Sequence, residues 1–452
     1  GSGLVGSEMC IRDRSYLIIA FLLALTYLSL SNPNRAKGLQ DFATAGGTIS
    51  SLLCALSLVS TIIGGSATLG MGAFAQKVGE AAFWWLGVGA IGLIVHGWAV
   101  APLIRKMPAM TLPEVAAVRV GEKAKLWSAV IIGVSWVAVT AAQFVALWAL
   151  LNSLMSASIA TFFYGAIALA VILHTAMGGQ RAVIKTDALQ AVLLLGGFIA
   201  AALWCVNFAP VNNISWVPFN ENFAFLDWVT LMLLVGITYI VGPDMFSRSF
   251  AARDARSARR ATWIASPLLV VFGVSITYMA LANIEANSPI AEWLSEGSSM
   301  PWLLKAILAL GLISALCGTV DTVLLSAATI AERDIFGKNR LPAVRLLVIF
   351  IGLMCALVVF VSADIIRLLL IAYSFFVPGV AAPLLVTLLM KKYRFIERYW
   401  MFAAVSGGLL GLSANLTGIQ NLAILGVFVS VSGAVLSVRI RAPLSKSTDC
   451  AQ

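Results

Sequence analysis

Apolar residues run along almost the whole chain in blocks of about twenty, separated by short polar tracts. A helix rising 1.5 Å per residue needs about twenty residues to cross the roughly 30 Å hydrocarbon layer of a bilayer. Twelve such blocks fall at about 48–75, 80–104, 126–153, 158–177, 187–206, 226–250, 262–284, 302–332, 343–362, 364–390, 398–416 and 419–438. A thirteenth, 15–30, is short for a span and reads as a truncated extra N-terminal helix. It follows residues 1–14, GSGLVGSEMCIRDR, which resemble adaptor sequence and are set aside from the fold. The pattern predicts an all-α polytopic membrane protein of about thirteen transmembrane helices, with its termini on opposite sides.

Composition supports this class. Of 452 residues, 60% are hydrophobic and 11% charged, too little charge for a soluble chain of this size. The net charge of +10 raises the question of nucleic acid. The basic residues sit in short tracts between spans and form no single patch, so the partner they imply is the lipid bilayer and not nucleic acid. Taking alternate connections, 25 of the 30 Lys and Arg fall on one side, while Glu221, Glu285, Glu292 and Glu296 fall on the other. In this count Arg248 opens the basic tract that runs to Arg260. The positive-inside rule then puts the C-terminus in the cytoplasm and the N-terminus outside, in a plasma membrane. Cys54, Cys205, Cys317 and Cys355 lie within spans and show no metal or disulfide spacing. His96 and His174, the only histidines, also lie within spans, and they read as core packing.

Some spans carry polar groups that lipid would not tolerate without a reason. The span 302–332 holds Ser314, Gly318, Thr319, Asp321 and Thr322 near its middle. A carboxylate at mid-membrane costs about 2.5–3.5 kcal/mol on insertion scales and needs a partner. Two readings are open for this segment. Either its hydroxyls bond back to their own helix while Asp321 pairs with a neighbour, or the oxygens line the path of a hard cation. The span 48–75 carries Gly64, Gly65 and Ser66 at its midpoint, which means close helix packing or a local break. A break frees backbone carbonyls, which membrane depth tolerates only where something polar fills the gap. Asp187 opens the span 187–206, at about the level expected for Asp321. Two neighbouring carboxylates both ionise only with a cation between them.

These residues and others amount to a resemblance. Gly178-Gly179, Ala182-Val183, Thr186-Asp187 and Gln190 are similar to the GG-x-x-AV-x-x-TD-x-x-Q signature of the sodium:solute symporter family. Asp41-Phe42 with Ala45-Gly46, Thr111-Leu112-Pro113-Glu114 with Arg119, and Gln143 with Ala146 resemble further family motifs. So do Gly242-Pro243 with Arg248, Thr319 and Asp321 with Arg333-Asp334, and Ala372-Tyr373 with Pro383. The resemblance implies the leucine-transporter-like core of five-plus-five inverted repeats. Its halves would be 48–206 and 226–390, with 398–438 supplying two further C-terminal helices. It also implies a sodium site made by carbonyls of Ser60, Ile63 and Ala315 and the hydroxyl of Thr319. A second cation site would use Asp187, Asp321 and Thr322. Gly318 departs from the family, which usually has a serine ligand there. Thr68, Gln76, Phe83, Trp84, Gln143, Tyr239, Asp244 and Tyr373 lie on helices that line the family's solute pocket. For Asp244 two readings stand, recognition of an amine or an acid placed favourably at a half-helix N-terminus.

The expectation is therefore a sodium-coupled symporter importing a small polar organic solute, with no cofactor beyond sodium as coupling ion. Proton coupling through Asp187 and Asp321, or solute sensing without transport, are the alternatives. An intramembrane enzyme is disfavoured, since neither G-x-S-x-G nor H-E-x-x-H occurs.

Overall fold

The structure is a computed structural model that describes residues 36, 38–211, 214, 219–286, 288–295, 297–360, 365–417 and 421–439. The expected span 15–30 and the segment 1–14 lie outside the described residues. The helices used below are α1 (Leu39–Thr44), α2 (Ser51–Ile62), α3 (Met71–Val78), α4 (Trp84–Val95), α5 (Leu112–Arg119), α6 (Glu122–Leu154), α7 (Ala157–Phe208) and α8 (Phe225–Leu231). They continue with α9 (Pro243–Ala251), α10 (Ala255–Leu281), α11 (Trp302–Ile330), α12 (Leu341–Leu357), α13 (Ile365–Phe376), α14 (Ala382–Leu389), α15 (Glu397–Thr417) and α16 (Asn421–Leu436).

Among the described residues, eight helical stretches are long and apolar enough to cross a membrane. Two of them, Ser66–Ile104 and Ala157–Phe208, each take in more than one of the expected blocks. The second would be about 78 Å long if straight, far more than a bilayer is thick. It turns at Gly179, whose φ of 61° and ψ of −168° lie where a side chain is strained. A Cβ there would also come within 2.5 Å of the Phe42 ring. The Asp41-Phe42 and Gly178-Gly179 motifs therefore meet in space. Arg181 reinforces the meeting by donating to Ala45 O at 2.8 Å and lying 3.4 Å from Asp41 Oδ1.

The TLPE motif is a helix start. Thr111 caps α5 by accepting from Glu114 N–H at 3.3 Å, and Glu114 Oε2 accepts from Met110 N–H at 2.8 Å. At the other end Arg119 donates to Thr387 O and Met390 O, both at 3.1 Å, satisfying carbonyls at the end of α14. Helix α11 runs through the centre against α2, α6, α7 and α12. Helices at the periphery expose large apolar side chains, among them Trp98, Phe350, Phe402 and Leu436. That is the surface a hydrocarbon solvent requires.

Candidate ion and solute site

The chain crosses the core through two interrupted helices. Helix α2 stops at Ile63 (φ −85°, ψ 77°) and resumes as a π-helical turn, Ser66–Gly70, that leads into α3. The break alters where the backbone bonds go. Gly64 N–H turns to Ile62 O at 3.0 Å instead of reaching Ser60 O four residues back. Gly65 N–H is taken by Gln143 Oε1 at 2.7 Å instead of Thr61 O. The carbonyls of Ser60 and Thr61 thus leave the helical ladder. Thr319 Oγ1, on α11, lies 2.9 Å from Thr61 O and 3.0 Å from Ala315 O, and its single proton is shared between the two carbonyls. A side chain at Gly64 could not be accommodated, because its Cβ would lie 2.5 Å from that same hydroxyl. The second interruption falls at Val241 (φ −132°, ψ 49°), between the helical segment Ile237–Ile240 and α9. His96 splices this break. Ile240 O can only accept, so His96 Nδ1 donates to it (2.8 Å), and Nε2 lies within hydrogen-bond distance of Ser249 Oγ (2.9 Å).

The residues expected to form the main cation site come together. The last turn of α2 meets α11 where Ser60, Thr61 and the break after Ile63 face Ala315, Gly318 and Thr319. A Cβ added to Gly318 would stand 2.3 Å from Ser60 Oγ.

The second cluster differs from the expectation in what stands between its members. Arg248, counted in the sequence as a charge of the basic tract, is in fact buried at 1% exposure. Its guanidinium donates to Asp187 Oδ2 and Thr61 Oγ1, both at 2.8 Å, to Ser57 Oγ at 3.0 Å, and to Thr322 Oγ1. Ser57 Oγ in turn donates to Asp187 Oδ2 at 2.5 Å. A tethered cation therefore joins Asp187 to Thr322. Asp321 turns to another partner set, accepting from Thr175 Oγ1 with His174 Nε2 at 3.8 Å. His174 thus does more than fill the core. Sequence reasoning missed Arg248, Ser57, Thr61, Thr175 and His174 as members of this network. Two signals were available. Arg248 is the sole Lys or Arg inside the block 226–250, and Ser57 and Thr61 are four apart on one face of α2.

Beside the break lies a small cavity of about 30 Å³, whose walls include Gln143, Tyr239, Asp244 and Tyr373. The other four candidate solute contacts lie elsewhere. Thr68 bonds back to Gly64 O at 2.8 Å. Phe83 and Trp84 pack edge to face at 5.6 Å, and Trp84 packs likewise on Trp228 at 5.7 Å. Gln76 is exposed and donates to Ile284 O (3.0 Å) and Ala286 O (2.7 Å). Ser66 is shared between the central cavity and a larger recess of about 280 Å³ bounded by Phe74, Trp85, Phe223 and Leu231. Towards the opposite face only about 20 Å³ is open, among Met110, Phe246, Phe250 and Ser326. Ion pairs gather at that face, with Glu114–Arg333 at 2.7 Å and Lys125–Asp334 at 3.4 Å.

Broken helices around a buried polar cavity, inside an apolar bundle, define a membrane transporter of the leucine-transporter-like fold. The chain belongs to the sodium:solute symporter family, whose description matches residues 42–398. This is a family of transporters and not of enzymes. A sodium/proline symporter of Staphylococcus aureus is 25% identical over 386 residues, covering 77% of this chain and 73% of its own. The fold is shared with a Na+-coupled sialic acid symporter, solved substrate-bound and outward-open, at a TM-score of 0.77 and 14% identity over 95% of this chain and 99% of the other. A nucleobase-cation-symport-1 family transporter, solved closed on bromovinylhydantoin, gives a TM-score of 0.60 at 13% identity, covering 90% and 95%.

Proposed function

We propose that this protein is a sodium-coupled symporter that imports a small polar organic solute across the plasma membrane by alternating access. The observation that supports this reading is the break in α2, which takes the carbonyls of Ser60 and Thr61 out of the helical ladder next to α11, where the Thr319 hydroxyl already reaches Thr61 O at 2.9 Å. Sodium as cargo would be held by oxygens of Ser60, Ile63, Ala315 and Thr319, with the solute in the adjoining cavity among Gln143, Tyr239, Asp244 and Tyr373. The interruptions of α2 and of the segment before α9 would be equivalent positions in two repeats, 48–206 and 226–390. With the C-terminus cytoplasmic and the N-terminus outside, the 280 Å³ recess is the outward vestibule and the ion-paired face is the closed inner gate. One charge crossing about 100 mV gains ~2.3 kcal/mol, enough for roughly fifty-fold accumulation of solute.

A second reading, proton coupling, draws on Asp321 lying beside His174 in the core. The deciding experiment uses the purified chain in proteoliposomes with separately imposed sodium and pH gradients. Solute uptake should follow the sodium gradient, and Thr319→Ala should raise the sodium concentration for half-maximal uptake about tenfold, as loss of one bond to an ion does. Uptake that follows only the pH gradient would transfer the assignment to Asp321 and His174. Sodium entry unaffected by any solute would overturn symport itself.

A further inference from the structure

The sodium account gives the carboxylate of Asp244 no task. Asp244 stands in the first turn of α9, and its side chain forms part of the cavity wall together with Trp136, Tyr239 and Tyr373. Its Oδ1 accepts from Trp136 Nε1 at 2.9 Å, which fixes the group, and its other oxygen accepts no hydrogen bond from a described residue. Arg248, one turn further along α9, is not its bonded partner. That guanidinium is occupied by Asp187, Ser57, Thr61, Thr322 and Ser247. A held carboxylate and three aromatic side chains therefore share one small space, with no cation bonded to the carboxylate.

This chemistry selects among ligands. Hydroxyls of Thr61, Ser66, Thr238 and Thr319 also line this space, so a metal ion is the competing ligand, and the solute-free sodium control below separates the two. An anionic solute would be repelled by Asp244, and an uncharged one would strip water from the carboxylate without replacing its counter-charge. An organic ammonium meets both demands, pairing with the carboxylate while its carbon substituents contact aromatic rings, whose π faces attract cations. We propose that the solute of this transporter carries an amine or quaternary ammonium group, held by Asp244 among Trp136, Tyr239 and Tyr373. This deepens the symport reading above and rests on the cavity being the solute site.

The test is thermal unfolding of the purified full chain in detergent, in sodium or potassium chloride. The probes are choline, ethanolamine, dimethylbutanol (the uncharged carbon isostere of choline) and acetate. Choline or ethanolamine should stabilise the protein in sodium, while dimethylbutanol and acetate should not. Asp244→Asn should weaken the response to the cationic probes at least about tenfold, and Asp244→Glu should recover part of it. The wild-type comparison of choline with dimethylbutanol decides the matter even if the variants fold poorly. Stabilisation by dimethylbutanol equal to that by choline, or no stabilisation by either choline or ethanolamine, overturns the proposal. So does loss of sodium's own stabilising effect in solute-free Asp244→Asn, which would make the ligand a metal ion. Sodium-dependent stabilisation by acetate with none by the amines sinks this inference and leaves symport standing. Absence of any sodium-dependent response overturns the symport reading and this one with it.

Discussion

At Gly318, α11 approaches α2 so closely that any side chain would collide. A Cβ would meet Ser60 Oγ at 2.3 Å, Gln190 Oε1 at 2.7 Å and Asp187 Oδ1 at 3.0 Å. The family resemblance expects a serine here, and the structure puts a serine hydroxyl in the same small volume from the opposite helix, on Ser60. The two hydroxyls compete for one place. Gly318→Ser alone should therefore destabilise the protein by about 1–3 kcal/mol, the usual range for overpacking. Adding Ser60→Ala should recover most of that loss, because it removes the atom that clashes. Thermal unfolding of both single variants and the pair forms a double-mutant cycle. Purely additive losses would show that the residues do not share that volume. The departure at Gly318 was legible in the sequence. The resemblance also implied that Ser60 would stand near Thr319, but through its carbonyl; that its hydroxyl fills the space beside Gly318 shows only where the two helices cross.

Several blocks match described helices closely, 126–153 with Glu122–Leu154 and 398–416 with Glu397–Thr417, since a bilayer-crossing block is long, apolar and ended by charge. The interruption of α2 was half legible: Gly64, Gly65 and Ser66 pointed to close packing or a break, and only the diverted Gly64 and Gly65 N–H bonds decide for the break. The turn inside α7 appeared only as a gap between two expected blocks, although its Gly178-Gly179 pair marked the place. Arg248 was misjudged for a physical reason. An arginine near the end of an apolar block looks the same whether it reaches for lipid headgroups or folds inward, and the difference lies in α2, α7 and α11 supplying its acceptors. Those acceptors make the cost of breaking the network large. Arg248→Met or Asp187→Leu alone should each cost about 3–5 kcal/mol, since each leaves one buried charge unmatched. The pair of substitutions together should unfold at a temperature close to the wild type, because a well-packed apolar pair often replaces a buried ion pair without loss. Equal losses in the double and single variants would show that the ion pair is not the unit of stability.

Among the described residues the larger recess and the ion pairs lie at opposite ends of the molecule. The recess of about 280 Å³ reaches the central cavity at Ser66, while Glu114–Arg333 and Lys125–Asp334 hold the far side together. A membrane-impermeant thiol reagent should therefore label Thr230→Cys quickly and Ser326→Cys slowly. The four described native cysteines, all buried, should contribute little background. Breaking the far-side pair with Glu114→Gln should speed labelling at Ser326→Cys, and an unchanged rate would remove that pair from the gate. The guanidinium between Asp187 and Thr322 has a consequence at this scale too. A positive charge covalently fastened to the protein cannot be handed over to the other compartment. One of the two places where the family resemblance would seat a travelling ion is thus permanently filled, and simultaneous sodium and solute fluxes should tally one metal ion for each solute delivered.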